Sequence, residues 1–134
     1  MATDMGVITE RAAHYMAQAN YLMIECNYDR QMLLSGRYPQ MLKDRVMSEK
    51  GHLDNEVSAR FVADHYHDGL QHVFLCHLSK DNNTEDIALG TMRDALEARG
   101  LSVGDGSNNV SQRDRDVQIY ALPRYTSSSW FVLA

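Results

Sequence analysis

Continuous apolar runs alternate with helical stripes along the chain. The run YLMIEC (residues 21–26) is apolar without alternation, which is typical of a strand covered on both faces, HVFLCH (72–77) is a second such candidate, and VQIYAL (117–122) predicts a later strand. A fourth run, SWFVLA (129–134), also predicts a strand. Because helical segments separate the strands, the pattern predicts an α/β fold class with at least partly parallel pairing.

Each predicted helix has a sequence signal at one of its ends. Thr9, Asp54 and Thr84 can cap three N-termini, because their side-chain oxygens accept hydrogen bonds from free backbone N–H groups. Pro39 suits the first position of another helix. The predicted helices are ERAAHYMAQA (10–19), DRQMLL (29–34), PQMLKDRVMSE (39–49), a segment over 55–67 and a segment over 85–99 that Gly100 ends. The polar stretch VGDGSNNVSQRDRD (103–116) predicts a surface loop.

Length and composition describe one globular domain. The 134 residues are 44% hydrophobic and 23% charged, which is enough for a core without disulfides. Neither a membrane-length apolar run nor a secretory signal is visible, and Cys26 and Cys76 make no disulfide framework, so a cytoplasmic location is expected. The formal net charge of −5 argues against a protein that coats nucleic acid by bulk charge. It does not exclude an enzyme that binds nucleic acid through a local basic groove.

Polar residues gather where the predicted strands end, and ligands bind at these carboxyl ends in open α/β sheets. The polar segments are Asp4, ECNYD (25–29), CHLSKDNN (76–83) and the helix-joining turn GHLDNE (51–56). Taken alone, each such residue is more often a turn former, a helix cap or a hydrogen-bonded structural residue than a ligand. Together, Asp4, His52 and His77, with Glu25 and Asp29 nearby, supply carboxylates and imidazoles that suit Zn²⁺ or Mn²⁺.

Five motifs in order carry a resemblance to a known family: ATDMG, IECNYD, GRYPQMLKDRVMSEKGHLDNE, VFLCHLSKDNN and LPRYTSSS. With these motifs the chain resembles metallo-β-lactamase-fold hydrolases, in a small bacterial nuclease-like branch distantly related to RNase Z and the β-CASP nucleases. The resemblance implies a single domain over residues 1–134 that forms the C-terminal half of an αββα sandwich. The half with the His-x-His-x-Asp-His motif would be missing.

The resemblance also implies roles for individual residues. Asp4 matches the carboxylate that bridges two divalent metal ions, Zn or Mn, and His77 matches the last histidine ligand. His52 matches a histidine that binds or protonates the scissile phosphate, so Asp4 and His52 are the predicted catalytic residues. The residues implied to line or brace the site are Asn27, Asp29 and Asn55.

Only two metal ligands, Asp4 and His77, are expected from this chain, whereas a catalytic zinc usually has three from protein. The string DHYHDG (64–69) comes nearest to the missing motif but reads as a polar helix end. We therefore expect a fragment that is inactive by itself. It also stays open that the lone chain binds no metal at all. A half-sandwich would expose a sheet face, which predicts a homo-oligomer.

Three functions stay open at this stage. The first is part of a two-metal phosphodiesterase, most simply a nuclease or exonuclease acting on nucleic acid. The second keeps the fold but hydrolyses a small ester, thioester or lactam, and the third is a non-enzymatic, oligomerising α/β fragment. The basic residues Arg37, Lys43, Arg45 and Lys50 either contact a phosphate backbone or form a solvated helix face.

Overall fold

A computed structural model describes residues 1–105, 115–131 and 133 of the chain. Within these ranges, no helix has the length and apolar character needed to cross a membrane. The elements in chain order are α1 (Glu10–Met16), β1 (Tyr21–Glu25), α2 (Arg30–Ser35), α3 (Gln40–Met47), α4 (Asn55–Asp64), β2 (His72–Cys76), α5 (Glu85–Glu97), β3 (Val103–Gly104) and β4 (Val117–Ala121).

The strands form one parallel sheet in the order β1-β2-β4-β3. The N-terminal residues extend this sheet beyond β1, because Ala2 forms a parallel bridge with Ile24. The Ala2 N–H donates to Met23 O at 2.8 Å, and the Glu25 N–H donates to Ala2 O at 2.8 Å. The predicted α/β class with parallel pairing is therefore confirmed, and Asp4 is carried to the carboxyl edge of the sheet.

One face of the sheet packs against helices and forms the core. The strands contribute alternate apolar side chains, all buried: Leu22, Ile24, Val73, Leu75, Val117 and Ile119. Helices α1, α4 and α5 supply the facing side chains, among them Met16, Val62, Met92 and Leu96. Because strand side chains alternate between faces, this packing fixes the register and so the positions of the strand ends.

The other face of the sheet carries stacked aromatic rings. Phe74 and Tyr120 lie with centroids 4.8 Å apart, and His72 stacks beside them while its Nδ1 lies 3.0 Å from the Tyr120 hydroxyl. Phe131 meets Phe74 and Tyr120 edge-on at 4.9 and 4.8 Å. The segment that follows β4 therefore returns over this face and covers its centre.

The predicted strand SWFVLA is wrong for residues 129–131 and 133, which have no strand structure. Phe131 uses its side chain to cover the aromatic face without backbone pairing, and Trp130 is 97% exposed. Residues 132 and 134 lie outside the described ranges, as do 106–114 of the predicted loop. At the start of that loop, Val103–Gly104 forms the short strand β3 beside β4, and two residues are too few to show a strand pattern.

The three predicted N-caps are confirmed. The side chains of Thr9, Asp54 and Thr84 accept hydrogen bonds from backbone N–H groups in the first turns of α1, α4 and α5. The predicted C-terminal ends of two helices are too late, because the predictions include residues 17–19 and 65–67 whereas α1 ends at Met16 and α4 ends at Asp64. The early end of α1 has a visible cause at Asn20. Its carbonyl accepts a hydrogen bond from the Gln71 N–H at 2.8 Å, so this residue pairs with the segment before β2 and does not continue the helix.

The two cysteines are buried thiols on the carboxyl side of β1 and β2. Burial raises the pKa of Cys26 to about 12 and the pKa of Cys76 to about 11. A thiol with so high a pKa is almost wholly protonated at neutral pH, which disfavours both metal ligation and nucleophilic attack. The cysteines therefore act as packing residues, as expected from the sequence.

Candidate metal centre

Three side chains singled out from the sequence meet at the carboxyl edge of the sheet. Asp4, His52 and His77 each place one ligand atom within 4.8 Å of the other two, and no other such group of three occurs in the described part of the chain. Asp4 Oδ1 lies 3.5 Å from His77 Nδ1 and 4.0 Å from His52 Nδ1. We call these three residues the metal-ligand cluster.

Different elements bring the members of the cluster together. His77 directly follows β2, and Asp4 follows the bridge at Ala2. His52 lies in the turn between α3 and α4, where its N–H donates to Val46 O at 3.0 Å. Gly51 permits this turn, since a Cβ there would overlap the Val46 carbonyl oxygen. Hence three separate chain segments must fold before the cluster exists.

Asp4 and His77 share an unusual backbone conformation. Their φ angles are 55° and 56°, and they are the non-glycine residues with positive φ within the described ranges. The left-handed region costs an L-residue about 1 kcal/mol or more, so the surrounding structure must impose it. Residues held in this way concentrate at functional sites, which adds to the chemical reason for choosing these two.

Glu25 is the buried carboxylate that joins the two histidines. Its side chain is 0% exposed, and its Oε1 lies 2.6 Å from His52 Nδ1 and 2.9 Å from His77 Nδ1. Its Oε2 accepts from the Met5 N–H at 3.1 Å. Because a carboxylate oxygen only accepts hydrogen bonds, both Nδ1 atoms donate, and Nε2 of each neutral ring keeps its lone pair. Glu25 therefore sets the tautomer and the orientation of both imidazoles.

Glu25 was noted in the sequence as a nearby acid but was not chosen as a site residue. One sequence signal could have identified Glu25. That residue is the one charged residue in the otherwise apolar run YLMIEC, near the end of that run. A fully buried carboxylate is rare unless it is paired. Its partners come from distant segments, however, and periodicity does not reveal them.

Asn27 connects the two loops that carry the histidines. Its side-chain Nδ2 donates to His77 O at 2.7 Å, next to the left-handed backbone of that residue. Its backbone N–H donates to Leu53 O at 3.0 Å, and its carbonyl accepts from the Ser79 N–H at 2.7 Å. Asn27 thus lies between the loop after His52 and the loop after His77 and holds both.

Asn55 forms a buried amide pair with Asn83, a residue that the sequence did not single out. Each amide donates to the other at 2.9 Å, and Asn83 Nδ2 also donates to Cys26 O at 2.8 Å. The Thr84 N–H donates to Asn83 Oδ1 at 2.9 Å. The pair ties the beginnings of α4 and α5 to the end of β1, beneath the metal-ligand cluster.

Asp29 and Lys43 lie outside the cluster. Asp29 caps α2, where it accepts from the Met32 N–H at 2.9 Å. Lys43 is buried and its Nζ donates to Leu34 O at 2.6 Å, so its ammonium is committed to holding α3 against α2. Of the basic residues near the Tyr-Pro helix, Lys43 is therefore removed from any surface that contacts phosphate.

The metal-ligand cluster has the donors and the openness that a catalytic cation needs. One carboxylate and two imidazoles suit Zn²⁺ or Mn²⁺, and three protein ligands is the number at an open zinc site. Beside Asp4 and His77, the two ligands predicted from the sequence, His52 lies close enough to be a third candidate ligand. The side chains are 75%, 32% and 43% exposed for Asp4, His52 and His77, so a large substrate can reach them.

Curated proteins similar to this chain carry nuclease names. Exodeoxyribonuclease YycJ of Bacillus anthracis is 38% identical over 105 residues, which is 78% of this chain and 40% of that protein. Exodeoxyribonuclease WalJ of Streptococcus pneumoniae is 36% identical over 104 residues, which is 78% of this chain and 39% of that protein. The chain thus spans about 40% of the length of these relatives. No family model and no solved structure matches it.

These comparisons correct the resemblance drawn from the motifs. The assignment to the C-terminal half of a metallo-β-lactamase-fold hydrolase is wrong as stated, and the two relatives are the finding that corrects it. The relatives instead align with 78% of the chain and are identified by an exodeoxyribonuclease activity. Short motifs can agree in order and still fail to define a half-domain boundary.

Proposed function

We propose that this chain forms part of a metal-dependent exodeoxyribonuclease that hydrolyses phosphodiester bonds in DNA. The observation that carries the proposal is the metal-ligand cluster, whose two histidines are joined by the buried Glu25 carboxylate. The names of the relatives from Bacillus anthracis and Streptococcus pneumoniae support DNA as the substrate class. Because the chain spans only about 40% of those relatives, the complete activity is part of the proposal.

Asp4, His52 and His77 would hold a divalent cation, Zn²⁺ or Mn²⁺. When bound, such a cation polarises a phosphodiester and makes water a nucleophile near neutral pH. Asp4 has two carboxylate oxygens, and its exposure fits a ligand shared between two ions. Glu25 supports the metal role because metal-ligating histidines commonly donate their second ring N–H to a carboxylate.

His52 also suits proton transfer to the leaving oxygen. Glu25 Oε1 accepts from its Nδ1 at 2.6 Å and so holds the ring in one orientation. The Nε2 atom of the same ring would either bind the cation or carry the proton for the leaving oxygen, because a protonated nitrogen has no lone pair for a metal, so proton transfer is the alternative to metal ligation for His52. Asp4 and His52 would be the catalytic residues, while Asn27, Asp29 and Asn55 would brace the loops that carry them.

A DNA-cleavage assay tests the proposal, with a protein that contains the whole of this chain. We expect cleavage of a DNA oligonucleotide with added Mn²⁺ or Zn²⁺ and none with chelator. Asp4→Asn should lower kcat/KM about 100-fold or more, because a catalytic metal contributes several kcal/mol and about 1.4 kcal/mol is tenfold. Asp94→Asn, an exposed acid on α5, is the matched control and should leave the rate unchanged.

Two outcomes would contradict the proposal. Equal cleavage by Asp4→Asn and the wild type would remove the cluster from the reaction. Hydrolysis of a small thioester with no cleavage of DNA would keep the cluster but replace the substrate class. The homo-oligomer expected from the sequence stays a prediction that light scattering tests.

A further inference from the structure

Arg124 is an exposed cation bound to the residue that follows His77 of the metal-ligand cluster. Its Nη1 donates to the carbonyl oxygen of Leu78, the residue directly after His77. The chain reaches this place because the Leu122 N–H, just beyond β4, donates to Leu75 O at 2.9 Å. The Arg124 guanidinium is thereby fixed at the same carboxyl edge of the sheet as the cluster.

The remaining donors of Arg124 are available for a ligand. Arg93 and Arg99 lie near Glu97 and Asp64, whereas no carboxylate of the described residues lies within 4.0 Å of the Arg124 guanidinium. One of its five N–H groups is used on Leu78, and the guanidinium lies over the Tyr125 ring, with its Cζ 5.5 Å from the ring centroid. The planar fork of a guanidinium matches a phosphate through two parallel hydrogen bonds.

The charge balance of the chain makes such a cation important for binding DNA. The formal net charge is −5, and two of the carboxylates counted in it, Asp4 and Glu25, lie at the site itself. A phosphate backbone approaching this edge therefore meets the exposed Asp4 carboxylate, with the buried Glu25 carboxylate behind the histidines. A guanidinium held at the carbonyl of Leu78, the residue that follows His77, offsets that repulsion locally.

We propose that Arg124 binds a backbone phosphate of the nucleic-acid substrate, next to the phosphodiester at the metal-ligand cluster. The inference rests on the proposed function and adds the residue that recognises the phosphate. Arg124 would act at the substrate and not as a support for the loop that carries His77. These two roles differ in what they do to metal affinity.

DNA and metal affinities of Arg124→Gln and Arg124→Lys, compared with the wild type, test the inference. The DNA affinity is measured by fluorescence anisotropy with Mn²⁺ over a series of salt concentrations, and the Mn²⁺ affinity by calorimetry. Arg124→Gln should weaken DNA binding about tenfold and reduce the salt slope by about one, with Mn²⁺ affinity unchanged. Arg124→Lys should keep the salt slope, since it keeps the charge. Arg60→Gln, which removes an exposed charge from α4, is the control and should change DNA affinity less than about twofold.

Two results would overturn the inference while leaving the proposed function intact. One is a loss of DNA affinity in Arg124→Gln no greater than in Arg60→Gln. The other is a parallel loss of Mn²⁺ and DNA affinity, which would make Arg124 a support for the His77 loop. Failure of the wild type to bind DNA in the presence of Mn²⁺ would instead overturn the proposed function, and this inference with it.

Discussion

Replacing Glu25 with alanine should both destabilise the fold and weaken metal binding. The change leaves two imidazole N–H groups and the Met5 N–H without their acceptor at a fully buried position. Removing one partner from a buried polar network costs about 3 kcal/mol of unfolding free energy. Losing a carboxylate that orients ligating histidines typically lowers metal affinity about 10- to 100-fold.

Urea unfolding and Mn²⁺ calorimetry measure the two effects of the Glu25 change. Glu25→Gln keeps the volume but places an N–H₂ group against either the histidines or the Met5 N–H, so we expect an intermediate loss of both quantities. Glu85→Gln, an exposed acid in the first turn of α5, is the matched control. Wild-type stability and metal affinity in Glu25→Ala would show that the carboxylate does not organise the cluster.

Asn83→Leu should lower the unfolding free energy by about 3 kcal/mol or more. Leucine has a similar volume but removes every hydrogen bond that the Asn83 amide makes in the interior. The Asn55 amide, the Cys26 carbonyl and the Thr84 N–H then lose a partner, and each unsatisfied buried group costs about 1–3 kcal/mol.

A double-mutant cycle measured by urea unfolding isolates the amide pair. Asn55→Leu and Asn83→Leu are each destabilising, but the double variant should be less destabilised than the sum of the two, because no amide is left alone. We expect a coupling free energy of at least about 1 kcal/mol. Additive losses would mean that the two amides stabilise the fold independently.

The sequence revealed those features of the fold that depend on local chemistry. Two buried strands and three helix caps could be predicted because each signal lies within a few neighbouring residues. The strands are YLMIE and HVFLC, and the caps are Thr9, Asp54 and Thr84. Asp4 and His77 could be chosen because parallel strand ends meet at one edge, whereas His52 lies in a turn between two helices and was chosen through its motif.

Features that depend on distant contacts escaped sequence reasoning. Glu25, Asn83 and Arg124 are each defined by partners from other elements, and none has a distinctive local pattern. The strand predicted for SWFVLA was wrong. An apolar run does not reveal whether it contacts the sheet through its side chains, as Phe131 does, or pairs with it through its backbone.

Calorimetric titration of Mn²⁺ or Zn²⁺ into this chain tests the central claim most directly. The account predicts saturable binding that is weakened at least about tenfold by each of Asp4→Ala, His52→Ala and His77→Ala, and not by Asp94→Asn. Circular dichroism of each variant would show that the fold is retained. Binding that survives all three alanine replacements, or no binding by the wild type, would contradict the account.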